Sequence, residues 1–128
     1  MIADLHCDTI SKLRDYHLGR LVSEDDKNGT SGVDEGKKQN RDDEGHGLFQ
    51  NRFHLDLKRM KQAGYLLQNF AIYVDSDIDA DVYGAYREMY RSFQDEMQKN
   101  ADCIRQVLCF SDIQENRKAG RMSALLTV

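Results

Sequence analysis

The run "YLLQNFAIYV", residues 65–74, restricts the fold more than any other stretch, being apolar except at Gln68 and Asn69. A strand with one face in water alternates apolar and polar residues. A run without that alternation suits a strand covered on both faces, the situation of a parallel sheet flanked by helices. The preceding segment, "HLDLKRMKQAG", places Leu57, Met60 and Lys61 one helical turn apart. It ends on Gly64, the residue type that most readily closes a helix in the left-handed conformation. A short helix leading into a buried strand is half of a β-α-β unit.

The neighbouring segments extend the alternation. Residues 2–6 predict a short strand, and "TISKLRDYHLGRL" predicts a helix with Ile10, Leu13 and His17 or Leu18 on one side. After the apolar run come Asp75, Asp77, Asp79 and Asp81. Then Val82, Tyr86, Met89, Tyr90, Phe93, Met97, Ala101, Ile104 and Leu108 recur at three- or four-residue steps, predicting one long amphipathic helix. The acids suit the positive end of that helix as caps. They do not suit a calcium loop, which needs a spaced glycine and a terminal bidentate Glu. "SDIQENRKAGR" carries Ser111 and Gln114 at capping-box spacing with Gly120 at its far end, and "MSALLTV" begins a third buried strand. The expected class is α/β with parallel strands.

Residues 23–47 break this pattern. Their only aliphatic side chain is Val33 among Gly, Asp, Glu and Lys, too little apolar surface to offset the entropy of ordering, so a disordered polar insert is expected. The rest of the 128 residues fits one domain. With 18 basic and 22 acidic residues, a net charge of −4 and no basic block, nucleic acid and anionic membrane are not expected as partners. No signal sequence or bilayer-length apolar run is present, so a cytoplasmic location is expected. Cys7, Cys103 and Cys109 form no C-x-x-C pair and read as reduced thiols, with Cys7 a packed apolar filler.

The opening "MIADLHCDTI" carries Asp4, His6 and Asp8 at alternate positions. Residues two apart on a strand share a face, so the three polar groups are expected to line up, with Cys7 turned away. His6 and Asp8 lie at and just beyond the carboxyl end of the strand, where parallel α/β folds gather their chemistry. Imidazole nitrogen and carboxylate oxygen are a common ligand pair for zinc and related ions, and this spacing can aim both at one point. H-x-D alone is a short motif, and from spacing alone solvated or hydrogen-bonded side chains are the favoured reading over a metal role. His17, His46 and His54 read as structural or solvated.

"DLHCDT" resembles the D-x-H-x-D-T opening of the membrane dipeptidase (renal dipeptidase) family of zinc peptidases, bacterial members especially. "HLDLKRMKQAGYLLQNFAIYV" is similar to that family's short helix and Gln-aromatic second strand. The helix at 80–108 and "CFSDIQENRKAGRMSALLTV" resemble its next helix, small capped helix and third strand. The likeness covers the chain apart from the polar insert.

The resemblance implies a (β/α)8 TIM-type barrel that holds two zinc ions and hydrolyses dipeptides. His6 and Asp8 match the first two ligands of one zinc. Asp8 also takes a catalytic role, accepting a hydrogen bond from the attacking water or the substrate's amine. Asp4 matches a family residue without a ligand role. In the family the third strand runs on into Glu-Gly, whose Glu bridges the metals, and further histidines follow on later strands. Residues 1–128 are thus expected to be the N-terminal part of such a barrel domain, with no dipeptidase activity by themselves. Another metal-dependent amidohydrolase would share the barrel and His6. From a different class, a non-catalytic binding or assembly module would use bare sheet edges to recruit a second chain, so a homo-oligomer stays open.

Overall fold

The computed structural model describes residues 1–20 and 47–128. The expected disordered insert at 23–47, apart from Gly47, and His46 with it lie outside the described residues. The elements run β1 (Ile2–Cys7), α1 (Thr9–His17), α2 (Leu57–Ala63), β2 (Tyr65–Ala71), α3 (Val82–Lys99), β3 (Ile104–Gln106), α4 (Phe110–Lys118) and β4 (Met122–Thr127). The class is α/β, with one four-stranded, all-parallel sheet in the order β1-β2-β4-β3. No helix among the described residues is long and apolar enough to cross a membrane.

Two faces of the sheet are used differently. Phe70 and Ile72 from the β2 segment and Met122 and Ala124 from β4 join Ile10 and Leu13 of α1, Leu57 and Met60 of α2, and Met89, Phe93 and Met97 of α3 in one apolar cluster. Phe93 meets Phe70 with ring centroids 5.9 Å apart. Ser123, one residue from Ala124 and so on the opposite face, takes a hydrogen bond from Asn116 Nδ2 of α4 at 3.2 Å. This is what right-handed crossovers require: α1, α2 and α3 serve connections running one way across the sheet, while the step back from β3 to β4 puts α4 on the other face.

Several local expectations change. The amphipathic stripe does not continue as helix to Leu108; α3 ends at Lys99, and residues 104–106 form an additional strand. Asn100 stands at the C-cap of α3, where its side-chain amide donates to the Glu96 carbonyl at 2.9 Å and to Glu96 Oε2 at 3.2 Å. Ile104 then enters the core as a strand residue, whereas Leu108 is exposed. The second strand stops at Ala71, short of residue 74. On α1 the buried positions are Thr9, Ile10, Leu13 and Arg14, with His17 and Leu18 in solvent.

Helix ends are set by particular side chains. Asp56 opens α2 by accepting from Arg59 N at 2.8 Å, and Gly64 closes it with φ 76°, as its position in the sequence predicts. At α4 the residues are not Ser111 and Gln114. Asp112 Oδ2 instead accepts from the amides of Leu108 (2.8 Å) and Cys109 (3.1 Å), and these bonds hold the Asp112 carboxyl below its usual range.

The acidic cluster divides its work. Only Asp81 caps α3, its Oδ1 accepting from Gly84 N at 2.9 Å. Asp75 accepts from Asp77 N within a turn. Asp79 receives a two-pronged hydrogen bond from Arg14, Nη1 to Oδ2 at 2.9 Å and Nη2 to Oδ1 at 3.0 Å, and a third from Arg20 at 2.9 Å. Arg14 Nε reaches Glu88 of α3 at 3.0 Å. The expectation that these acids serve the helix dipole thus holds for Asp81; Asp79 instead ties α1 to the approach to α3. A buried arginine on α1 needs such a planar, paired acceptor, and Arg14 is held more firmly protonated by it.

Candidate metal centre

β1 is not the regular strand its alternation predicts. Its register against β2 passes from Asp4 opposite Gln68 to Cys7 opposite Phe70, three residues on one strand against two on the other. Gln68 and Phe70 share a face, so Asp4 comes to the same side as Cys7 rather than lining up with His6 and Asp8. The Asp4 carboxylate accepts the His6 backbone N–H at 3.3 Å. Asp4 therefore serves the backbone that carries His6.

Cys7 packs against the apolar cluster, in line with its reading as filler. Burial pushes its thiol above the ordinary value, partly offset by hydrogen bonding with Thr9. The three cysteines are free; Cys109 is exposed, and Cys7 and Cys103 are partly buried.

His6 and Asp8 come together. His6 Nε2 lies 3.1 Å from Asp8 Oδ1, with both side chains more than half exposed at the carboxyl end of β1. Asp8 occupies the N-cap position of α1, where a carboxylate ordinarily accepts from the first-turn amides. Its side chain makes no such bond with the described residues and faces His6 instead.

The donor set fits a divalent ion. Nitrogen and oxygen ligands sit about 2.0–2.2 Å from zinc, and two donors 3.1 Å apart can both reach one ion at that distance. His6 would offer the Nε2 lone pair with its proton on Nδ1, and Asp8 one carboxylate oxygen. Among the described residues no group of three or more His, Cys, Asp or Glu is placed to hold a metal, so the pair is two ligands and not a closed site. His17 lies on α1 with its ring against Tyr16, and His54 is exposed in the loop before α2, its carbonyl accepting from Arg59.

Asn69 is the site-adjacent residue that the sequence reading passed over. Its Nδ2 donates to the Leu5 carbonyl at 2.9 Å, and its Oδ1 accepts from Thr127 Oγ1 at 3.1 Å. The signal available was a polar residue inside an otherwise apolar run.

Compared with known protein families and with curated proteins, the chain finds no matching family model and no matching protein.

Proposed function

We propose that His6 and Asp8 are two ligands of a divalent-metal site, and that the protein to which this chain belongs is a zinc-dependent hydrolase of dipeptides built on a (β/α)8 barrel. The observation that carries this is the diversion of Asp8. A carboxylate at a helix N-cap faces His6 at 3.1 Å, with both side chains open to solvent at the carboxyl end of a parallel strand. The resemblance of "DLHCDT" and the following blocks to the membrane dipeptidase family narrows the metal hydrolase to a dipeptidase. The all-parallel sheet with helical crossovers supports the coarser part of this reading, a partial α/β fold. The order β1-β2-β4-β3, with α4 on the face opposite α1, α2 and α3, departs from the sequential strands and one-sided helices of a barrel.

In this reading His6 binds through Nε2. Asp8 would hold such an ion through a carboxylate oxygen, its other oxygen being able to accept a hydrogen bond from water or from the substrate's free amine. A bound zinc ion supplies Lewis acidity toward the scissile carbonyl and lowers the pKa of the water. The remaining ligands would lie outside the described residues.

The test is metal content and dipeptide hydrolysis of the whole protein. Zinc bound in the wild type, reduced in both His6→Ala and Asp8→Ala, with hydrolysis lost alongside, supports the reading. Full zinc content in both variants removes it, and cleavage of cyclic amides in place of dipeptides transfers the site to another amidohydrolase.

A further inference from the structure

We infer that Asn69 is a positioning residue for the His6–Asp8 pair, its side chain bonding the stretch of β1 where the register with β2 is irregular. The inference rests on the metal-site reading of that pair and adds to it a residue that coordinates nothing.

Between Asp4 and Cys7 the paired register lapses: Leu5 and His6 have no register partners on β2 among the described residues. Two backbone groups of this stretch are taken up by side chains. The His6 N–H donates to Asp4 Oδ1 at 3.3 Å, and the Leu5 carbonyl accepts from Asn69 Nδ2 at 2.9 Å. The second bond is the shorter and the only one of the two that crosses to another strand. Asn69 is itself fixed from the far side, because Thr127 Oγ1 donates to its Oδ1 at 3.1 Å. Asn69 also stands opposite Leu125 in the β2–β4 register. One amide thus spans β1, β2 and β4 and sets where the peptide immediately before His6 lies.

An amide is the side chain suited to this task, since it donates in one direction while accepting in the other. Leucine at position 69 would fill similar space but leave the Leu5 carbonyl and the Thr127 hydroxyl without those partners. The peptide leading into His6 would then be free to shift, and metal sites are sensitive to such shifts: loss of a group that orients a ligand commonly lowers metal affinity 10- to 100-fold.

The experiment measures Co(II) affinity, by competition with a chelator, and the visible absorption spectrum of bound Co(II). Both are read on the whole protein and on Asn69→Leu, Asn69→Asp, Thr127→Val and His6→Ala. Asn69→Leu is expected to weaken Co(II) binding about tenfold or more and to change the spectrum. Thr127→Val removes one bond to Asn69 but keeps the donor to Leu5, so its affinity is expected within about threefold of wild type. Asn69→Asp keeps the volume and the Thr127 acceptor and loses only the donor, which guards against a folding failure of the leucine variant. Its added negative charge would by itself tighten cation binding, so weakening here supports the positioning role. Wild-type affinity and spectrum in Asn69→Leu or Asn69→Asp, with only a lower melting temperature, overturn it and leave the metal site standing. Co(II) binding that survives His6→Ala overturns the metal-site reading, and this inference with it.

Discussion

Replacing Asp8 by alanine separates a helix cap from a ligand. Removing a capping Asp from an N-cap costs typically about 1 kcal/mol, in a range of roughly 0.5–2 kcal/mol. Asp81 is such a cap, with Oδ1 accepting from Gly84 N at 2.9 Å, so Asp81→Ala should lose about 1 kcal/mol or slightly more. Asp8 holds the same position on α1 without the bond. What Asp8→Ala removes is its share of the dipole interaction, a few tenths of a kcal/mol at physiological salt. It also removes an exposed pair with His6, a few tenths at most because both side chains are more than half in solvent.

The expected cost is therefore about 0.5 kcal/mol, roughly half that of Asp81→Ala. Urea unfolding of the two variants beside the wild type, fitted with a common m-value, resolves a gap of that size. If Asp8→Ala costs as much as Asp81→Ala, Asp8 is a structural cap in solution, and the diversion that carries the functional proposal is not there.

Other consequences follow from the same structure. Asp79 is held well below the usual carboxylate range by hydrogen bonds from Arg14 first and Arg20 second. Its stabilising share is fully present above its unfolded pKa of about 4 and is lost as pH falls below that. Melting temperature followed from pH 7 to pH 2 should fall less steeply at the acid end in Asp79→Asn than in wild type; parallel curves would mean that the network contributes nothing. Phe93 is fully buried against Phe70, so Phe93→Ala should cost about 3–5 kcal/mol in denaturant unfolding, and a loss under about 1.5 kcal/mol would place it outside the core. Alkylation by iodoacetamide, read by peptide mass spectrometry, should label exposed Cys109 before Cys7, whose thiol is pushed up by burial; the reverse order would contradict the packed position of Cys7.

How far the sequence could be read depended on whether local chemistry and tertiary contacts agreed. Strand 65–71 and the helix before it were legible because an apolar run and Gly64 state the same thing at two levels. The strand at 104–106 was hidden because Ile104, three residues after Ala101 and four before Leu108, continues a helical period. At the C-cap the Asn100 side chain bonds back to the Glu96 carbonyl, a local contact that hydrophobic spacing does not register. His6 and Asp8 could be named from H-x-D and strand-end placement. Asp4 was misplaced because strict alternation assumes an unbroken ladder, and the break in β1 is a property of its pairing with β2, not of its own composition. Asp79 was assigned to the helix dipole because its partners, Arg14 and Arg20, are remote in sequence and invisible to local spacing.

The break in β1 also bears on whether the His6–Asp8 pair is incidental. A ladder hydrogen bond contributes roughly 0.5–1.5 kcal/mol net, and an irregular register in the strand beside β2 forgoes some of that. Selection for stability alone would favour a regular strand, with the alternation that "ADLHCD" already supplies. Instead Asp4 and Asn69 accommodate the irregular stretch, and Asp8 leaves the amides of its own helix uncapped. These three departures, on β1, β2 and the start of α1, converge on the segment from Leu5 to Asp8. Local rules broken together at one place, with the breaks compensated by side chains, are characteristic of a site where geometry serves a purpose other than stability. An incidental surface pair would not need Asn69 to be fixed from β4 as well.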